Sequence, residues 1–173
     1  MPHSPEIDRA RSLIRVVQDH PVPGVAFQDI TPLLADARAF RACVEALVEP
    51  FAGSFDVVAG VEARGFLLAG AAAMLTGTGL VPLRKAGRLP APVASASYAL
   101  EYGEAAIEVS ADLHAGDRVL VLDDVLATGG TLAAAARLVR ERGAHVAGAA
   151  CLLELESLGG RAAVPDAHAL IRG

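Results

Sequence analysis

The chain has 173 residues, 53% of them hydrophobic and 20% charged, a balance that describes a folded globular protein and excludes disorder. This length favours a single domain over residues 1–173, with a core that Ala, Val and Leu must fill because only 4% of the residues are aromatic. The formal charge of -5 provides no basic face that could displace counterions from phosphates, so we expect no nucleic-acid partner.

Two amphipathic helices are predicted first along the chain. Ser4 and Pro5 supply a capping hydroxyl and a proline at the first helical position, and the apolar residues that follow share one face. We expect this helix to end near the breaker residues 20–24. The apolar spacing from Phe40 to Phe51 indicates a second helix.

Short apolar runs then alternate with helical segments. An alanine-rich helix is predicted after Arg64 and another from Thr131. Continuous apolar strands between helices are typical of a parallel sheet that is covered on both faces, so the predicted class is α/β. The predicted strands lie at 55–61, 79–83, 118–124 and 145–155.

No membrane span or secretory signal is predicted. Residues 1–17 carry scattered charges and have no apolar core of the signal-peptide type. The run 65–83 is about long enough to cross a bilayer, but glycines and a proline interrupt it, so we interpret it as a buried helix, a turn and a strand. Cys43 and Cys151 lie in apolar runs without metal-ligand spacing, which indicates buried thiols and a cytoplasmic protein.

The segment "VLVLDDVLATGGT", residues 119–131, is the most informative stretch. A buried strand leads into Asp123 and Asp124, and a glycine pair between threonines then opens a helix. Loops that leave the carboxyl ends of strands form the ligand sites of open α/β sheets, and glycines followed by a helix N-terminus suit a phosphate. The loop lacks the lysine of a P-loop and the GxGxxG of a dinucleotide site. The carboxylates suit ribose hydroxyls or Mg²⁺.

This segment resembles the phosphoribosyl pyrophosphate (PRPP) signature of the type I phosphoribosyltransferases. The stretches "PGVAFQDITPLL" and "ASYALEYG" are similar to the adenine branch of that family, and the resemblance covers nearly the whole chain. It implies a central, mostly parallel sheet with a small N-terminal hood from residues 1–35 and a flexible catalytic loop region at 84–109. The implied reaction converts adenine and PRPP to AMP and pyrophosphate, a step of purine salvage.

The resemblance also assigns roles to individual residues. The ribose 5'-phosphate would lie in a loop of five residues and the ribose hydroxyls near two carboxylates: Ala127, Thr128, Gly129, Gly130, Thr131, with Asp123 and Asp124. Pyrophosphate would meet basic residues: Arg64, Arg84, Lys85 and Arg88. Glu101 and Tyr102 correspond to the catalytic loop, where the glutamate acts as the acid partner of a purine ring nitrogen.

Adenine would stack on Phe27 and contact Val125, while backbone groups of Ala26 and Gln28 read its edge. Gln28 departs from the family, whose members usually carry Arg or Lys there. Mg²⁺ is implied as a cofactor carried mainly by PRPP, with no direct side-chain ligands, and the histidines match no ligand pattern. The resemblance further implies a homodimer.

Two other functions compete with this one. A regulator that binds PRPP only as a signal would carry an added DNA-binding region, and the residues before "PVPGVAFQDI" are too few for one. A transferase for xanthine or hypoxanthine would share the loop and the carboxylates, because those bind the ribosyl half. Only the segment around Phe27 and Gln28 distinguishes one base from another, and its sequence favours adenine.

Overall fold

A computed structural model of the protein describes residues 5–100 and 103–173. The chain divides into two compact units, Met1–Ala46 and Leu47–Gly173. The predicted catalytic residues Glu101 and Tyr102 lie outside the described residues. The single domain, the hood and the flexible loop region stay predictions.

The N-terminal unit contains short elements. Its elements are α1 (Pro5–Ser12), β1 (Arg15–Val17), β2 (Phe27–Asp29), α2 (Thr31–Ala35) and most of α3 (Ala37–Val48). The prediction that α1 continues to residues 20–24 is wrong, because the chain leaves the helix at Ser12 and forms β1. The β-branched residues Val16 and Val17 favour a strand, and β1 pairs antiparallel with β2.

The larger unit is built on a seven-stranded sheet in the order β5-β6-β4-β3-β7-β8-β9. After a 3₁₀ turn at Glu49–Phe51, its elements are β3 (Val57–Val61), α4 (Gly65–Thr76), β4 (Gly79–Lys85), β5 (Ala94–Leu100), β6 (Gly103–Val109), β7 (Arg118–Leu126), α5 (Gly130–Glu141), β8 (His145–Glu154) and β9 (His168–Arg172). Strands β4, β3, β7, β8 and β9 run parallel, whereas β6 pairs antiparallel with both β4 and β5. The predicted mostly parallel α/β sheet is confirmed.

Helices cover both faces of this sheet. Alternate residues of β3 point to opposite faces. Ala59 and Val61 belong to a buried cluster that includes Leu138 of α5, whereas a Cβ at Gly60 would lie 2.6 Å from the Cβ of Ala69 in α4. The two helices therefore lie on opposite faces, and both begin at the carboxyl edge of the sheet, where α4 follows β3 and α5 follows β7.

The interpretation of residues 65–83 is confirmed: α4 ends at Thr76, the C-cap residue Gly77 has a φ of 68°, and β4 follows. No helix in the part of the chain that the structure describes is long and apolar enough to span a membrane. Cys43 and Cys151 are free and buried, as predicted. Burial raises the pKa of each thiol to about 12.

Candidate active site

The two adjacent aspartates lie within β7 and not at its end, because the strand continues through them to Leu126. The strand predicted at 118–124 is therefore two residues longer than expected. Asp123 is 8% exposed and Asp124 is 6% exposed. The backbone N–H of Asp124 donates to Oδ1 of Asp123 over 2.9 Å. The pair is held rigidly by a central strand of the sheet.

Burial sets the electrostatics of this pair. Desolvation raises the pKa of Asp123 well above its ordinary value, and the neighbouring charge of Asp124 raises it further. Desolvation also raises the pKa of Asp124, although the Arg64 guanidinium opposes that rise. Nε of Arg64 lies 2.7 Å from Oδ2 of Asp124. Arg64, which is predicted to bind pyrophosphate, and Asp124, which is predicted to bind ribose, are thus in direct contact.

Arg64 and Gly65 bring the start of α4 against β7. Arg64 is the N-cap residue of α4. A Cβ at Gly65 would lie 2.9 Å from the carbonyl oxygen of Leu122 and 3.1 Å from Oδ1 of Asp123, so only glycine permits this approach. The sequence prediction missed Gly65, although a glycine directly after a basic residue at a helix start was a usable signal.

Glu62 contacts the other three residues that are predicted to bind pyrophosphate. The sequence prediction also missed Glu62. Its side chain is 5% exposed. Oε1 lies 3.1 Å from Nη1 of Arg88, and Oε2 lies 3.5 Å from Nε of Arg84. The backbone N–H of Lys85 donates to Oε2 over 2.8 Å. The usable signal in the sequence was an acidic residue directly after an apolar run, the same pattern that identified Asp123.

Opposing effects act on the Glu62 carboxyl. Burial alone would raise its pKa, but the Lys85 N–H and the Arg84 guanidinium outweigh burial and hold the pKa below the ordinary value. Glu62 is therefore ionised at neutral pH. Two of the basic residues predicted to bind pyrophosphate, Arg84 and Arg88, share this internal counterion.

The predicted phosphate loop connects β7 to α5. Residues 127–129 link the two elements, and Gly129 has a φ of 82°, a conformation that favours glycine. Helix α5 begins at Gly130, one residue before the predicted start. The first N–H groups of a helix have no acceptor within it, and the helix dipole is positive there. Thr128 is exposed and Thr131 is half-buried. The loop therefore offers uncharged donors and no cation.

The predicted base-recognition segment lies in the N-terminal unit. Phe27 and Gln28 are half-buried residues of β2, and Ala26 precedes them as an exposed residue. The ring centroids of His20 and Phe27 are 4.9 Å apart, with the rings nearly perpendicular. Val125 lies in the other unit, on β7.

Asp29 anchors the end of this segment. Its Oδ1 accepts the backbone N–H of Thr31 over 2.9 Å, and its Oδ2 lies 2.6 Å from Nη2 of Arg15. The hydrogen bonds from Thr31, followed by that from Arg15, lower the pKa of Asp29 to about 2. The backbone beside Phe27 and Gln28 is thus fixed by a carboxylate that is ionised at neutral pH.

Comparisons with known proteins place this site in a family. Residues 29–169 match the model of the phosphoribosyl transferase domain. The chain is 61% identical to the adenine phosphoribosyltransferase of Arthrobacter sp. (strain FB24) over 154 residues, covering 88% of this chain and 83% of the relative. It is 58% identical to that of Renibacterium salmoninarum over 158 residues, covering 91% and 87%. The chain belongs to the adenine phosphoribosyltransferases.

Solved structures of adenine phosphoribosyltransferases have the same fold. The Rhodothermus marinus structure matches with a TM-score of 0.93 and 43% identity, covering 97% of this chain and 98% of that one. The Giardia lamblia structure, in complex with 9-deazaadenine, matches with a TM-score of 0.90 and 36% identity, covering 96% and 97%. The predicted family is confirmed.

Proposed function

We propose that the protein transfers the 5-phosphoribosyl group of PRPP to adenine, giving AMP and pyrophosphate. The observation that carries this proposal is the buried pair Asp123 and Asp124 on β7, followed directly by a glycine loop that opens α5. Membership of the adenine phosphoribosyltransferases supplies the choice of base.

The sugar phosphate would bind along β7 and its loop. Backbone N–H groups of the loop and the hydroxyls of Thr128 and Thr131 would donate to the 5'-phosphate. Asp123 and Asp124 would accept hydrogen bonds from the ribose hydroxyls. Such donors stabilise the charged form of a buried carboxylate, so substrate would offset part of the desolvation that raises both pKa values.

Pyrophosphate would be held by the basic side chains at the ends of β3 and β4. Arg64, Arg84, Lys85 and Arg88 would surround it, and planar guanidinium groups suit phosphate oxygens. Arg84 and Arg88 would exchange their contacts with Glu62, wholly or in part, for contacts with the ligand. The same cations would stabilise the negative charge that develops on the leaving group.

The reaction breaks the bond from ribose C1 to pyrophosphate and forms a bond from C1 to a ring nitrogen of adenine, whose proton is released to solvent in the net reaction. Loss of pyrophosphate leaves an oxocarbenium-like centre at ribose C1, and this centre needs a site that excludes water. Glu101 would act as the acid partner of a purine ring nitrogen, beside Tyr102. The base would stack on Phe27, with backbone groups of Ala26 and Gln28 at its edge.

Mg²⁺ would reach the site with PRPP. Among residues 5–100 and 103–173, no group of three or more His, Cys, Asp or Glu side chains could hold a metal ion. Asp123 and Asp124 offer the oxygen chemistry that Mg²⁺ accepts, and Asp124 is already paired with Arg64. Their donor set fits an ion carried mainly by the substrate, where it would neutralise phosphate charge.

We also propose a cytoplasmic homodimer. Leu67 and Met74 lie seven residues apart on α4, hence on one side of the helix, and are 52% and 86% exposed. Leu80 of β4 is 43% exposed. Large exposed apolar side chains favour a protein interface, and a second copy would cover them. Two free, buried cysteines suit a reducing compartment.

The test is product formation from each purine in turn. Purified protein is incubated with Mg²⁺, PRPP and adenine, hypoxanthine or xanthine, and nucleotides are separated by chromatography. We expect AMP from adenine and little product from the other bases. Absence of AMP would refute the proposal. Faster turnover of hypoxanthine or xanthine would show that this base, and not adenine, is the substrate. A Glu101→Gln variant should lose turnover far more than substrate binding.

A further inference from the structure

The turn after β8 packs directly against the phosphate loop. A Cβ at Gly129 would lie 2.4 Å from the carbonyl oxygen of Gly160 and 2.9 Å from the Cβ of Ala163. Real Cβ atoms do not approach other heavy atoms so closely, so Gly129 is in contact with the turn through its backbone. In this turn, Gly159 joins two 3₁₀ turns, Glu156–Leu158 and Gly160–Ala162.

The contact is reciprocal. Gly160 is buried, and a Cβ on it would lie 2.3 Å from the carbonyl oxygen of Ala127 and 2.8 Å from Cδ1 of Leu126. Gly160 is not among the glycines with a positive φ, whereas Gly159 has a φ of 66°. Glycine is therefore needed at residue 159 for the backbone conformation of the turn. At residue 160 it is needed for the close approach of the turn to the loop.

An ion pair between Arg161 and a buried carboxylate holds the turn in place. Nη2 of Arg161 lies 2.7 Å from Oε2 of Glu154, and Glu154 is 3% exposed. Nη1 of Arg161 donates to the carbonyl oxygens of Pro165 and Ala167 over 3.3 and 3.1 Å. The guanidinium thus joins the end of β8 to the segment before β9.

We propose that Gly160 is a positioning residue for sugar-phosphate binding, which sets the place of the Ala127 carbonyl and of Gly129 and thereby aims the first N–H groups of α5. The inference rests on the proposed function, in which that loop binds the 5'-phosphate. A shift of about 1 Å in a positioning group reduces activity by about 100-fold in the least tolerant cases. Any side chain at residue 160 must displace the loop backbone, because the nearest atom is a carbonyl oxygen.

The experiment compares Gly160→Ala with Gly159→Ala. A Cβ at Gly159 meets nothing within 4 Å, so that variant strains the same turn without touching the loop. Binding of ribose 5-phosphate and of pyrophosphate is measured by calorimetry, and steady-state kinetics give KM and kcat. For Gly160→Ala we expect the Kd of ribose 5-phosphate and the KM of PRPP to rise by roughly tenfold or more. Pyrophosphate binding should stay unchanged, a split that general loss of structure would not produce.

For Gly159→Ala we expect a lower melting temperature and a Kd of ribose 5-phosphate within about threefold of the unmodified protein. Equal Kd values for the two variants would overturn the inference while leaving the proposed function intact. If the unmodified protein binds no ribose 5-phosphate, the loop assignment itself fails and the inference falls with it.

If Gly160→Ala does not fold, Arg161→Lys takes its place. Lysine keeps the charge beside Glu154 but lacks the fork that holds a carboxylate and two carbonyls together. We expect a several-fold rise in the Kd of ribose 5-phosphate with unchanged pyrophosphate binding. Unchanged binding of both ligands would overturn the inference.

Discussion

The proposed phosphate loop and the proposed pyrophosphate residues would bind their anions by different physical means. Residues 127–131 offer uncharged N–H and hydroxyl donors on a backbone fixed by β7, α5 and the turn at Gly160. The pyrophosphate residues are charged, and three of their guanidinium groups already contact buried carboxylates of Glu62 or Asp124. In the proposed function the loop would bind phosphate without losing an internal partner, whereas the cations would have to exchange partners.

This difference suits the chemistry of the proposed reaction. The 5'-phosphate stays bound unchanged from PRPP to AMP, so a rigid and neutral site suffices. Pyrophosphate must be bound, stabilised as it departs and then released. Internal carboxylates that compete for the same cations would weaken the binding of pyrophosphate and favour its release.

The largest effect is expected from Arg64→Ala. The change removes a cation from the leaving group and deprives the buried carboxylate of Asp124 of its guanidinium partner. We expect kcat/KM to fall by roughly 100- to 1000-fold and the protein to lose stability. Steady-state kinetics and chemical denaturation measure the two effects. Arg64→Lys is the matched control and should lose less of both, whereas activity of Arg64→Ala within threefold of the unmodified protein would contradict a role at the leaving group.

Removal of one loop hydroxyl should have the next largest effect. Thr131→Val keeps the shape of the side chain and deletes a donor to the phosphate, so we expect the KM of PRPP to rise about tenfold. Thr76→Val makes the same change in α4, where the hydroxyl donates to the Ala72 carbonyl. That control should leave KM unchanged. Equal KM values for the two variants would remove Thr131 from the phosphate site.

Glu62→Gln tests the exchange of partners directly. Glutamine still accepts the Lys85 N–H but no longer neutralises Arg84 and Arg88. We expect pyrophosphate to bind about three- to tenfold more tightly by calorimetry, because its competitor for the cations has lost its charge. Glu45→Gln, which breaks an exposed pair with Arg41, should change nothing. Weaker pyrophosphate binding in Glu62→Gln would contradict competition.

The smallest effect is a pH dependence of stability without substrate. The pKa of Asp123 is raised in the folded state above its ordinary value of 3.8, so the folded protein holds this proton at pH values where the unfolded chain has lost it. This carboxyl therefore lowers the free energy of unfolding as pH rises from about 3.8 through the folded pKa. Asp123→Asn should gain stability over the unmodified protein as pH rises through that range. Urea denaturation across pH measures the difference, and a constant difference would show that Asp123 has an ordinary pKa.

The sequence predicted the helices and strands better than the contacts between residues of the site. Uninterrupted apolar runs identified the parallel strands because burial on both faces leaves a local signature. The alternation in "ASASY" was a usable strand signal for β5 that the composition of residues 84–109 obscured, and Ala96 is indeed buried. The end of α1 was misjudged because β1 pairs with β2 through residues that are 10 to 14 positions apart in the sequence.

The contacts of the site depend on distant parts of the chain. Asp123 and Asp124 were identified from a local motif, but the partnership of Arg64 with Asp124 joins residues on different elements. The role of Glu62 is visible only when β3 and β4 lie side by side. The glycine contact between residues 129 and 160 likewise depends on the packing of two loops.

A crystal structure with PRPP and Mg²⁺ tests the division between the two anion sites most directly. We expect the 5'-phosphate to accept hydrogen bonds from backbone N–H groups of residues 128–131, and the pyrophosphate to contact Arg64, Arg84 and Arg88. At least one guanidinium should have left Glu62. A 5'-phosphate bound by the arginines, with pyrophosphate in the glycine loop, would contradict the division.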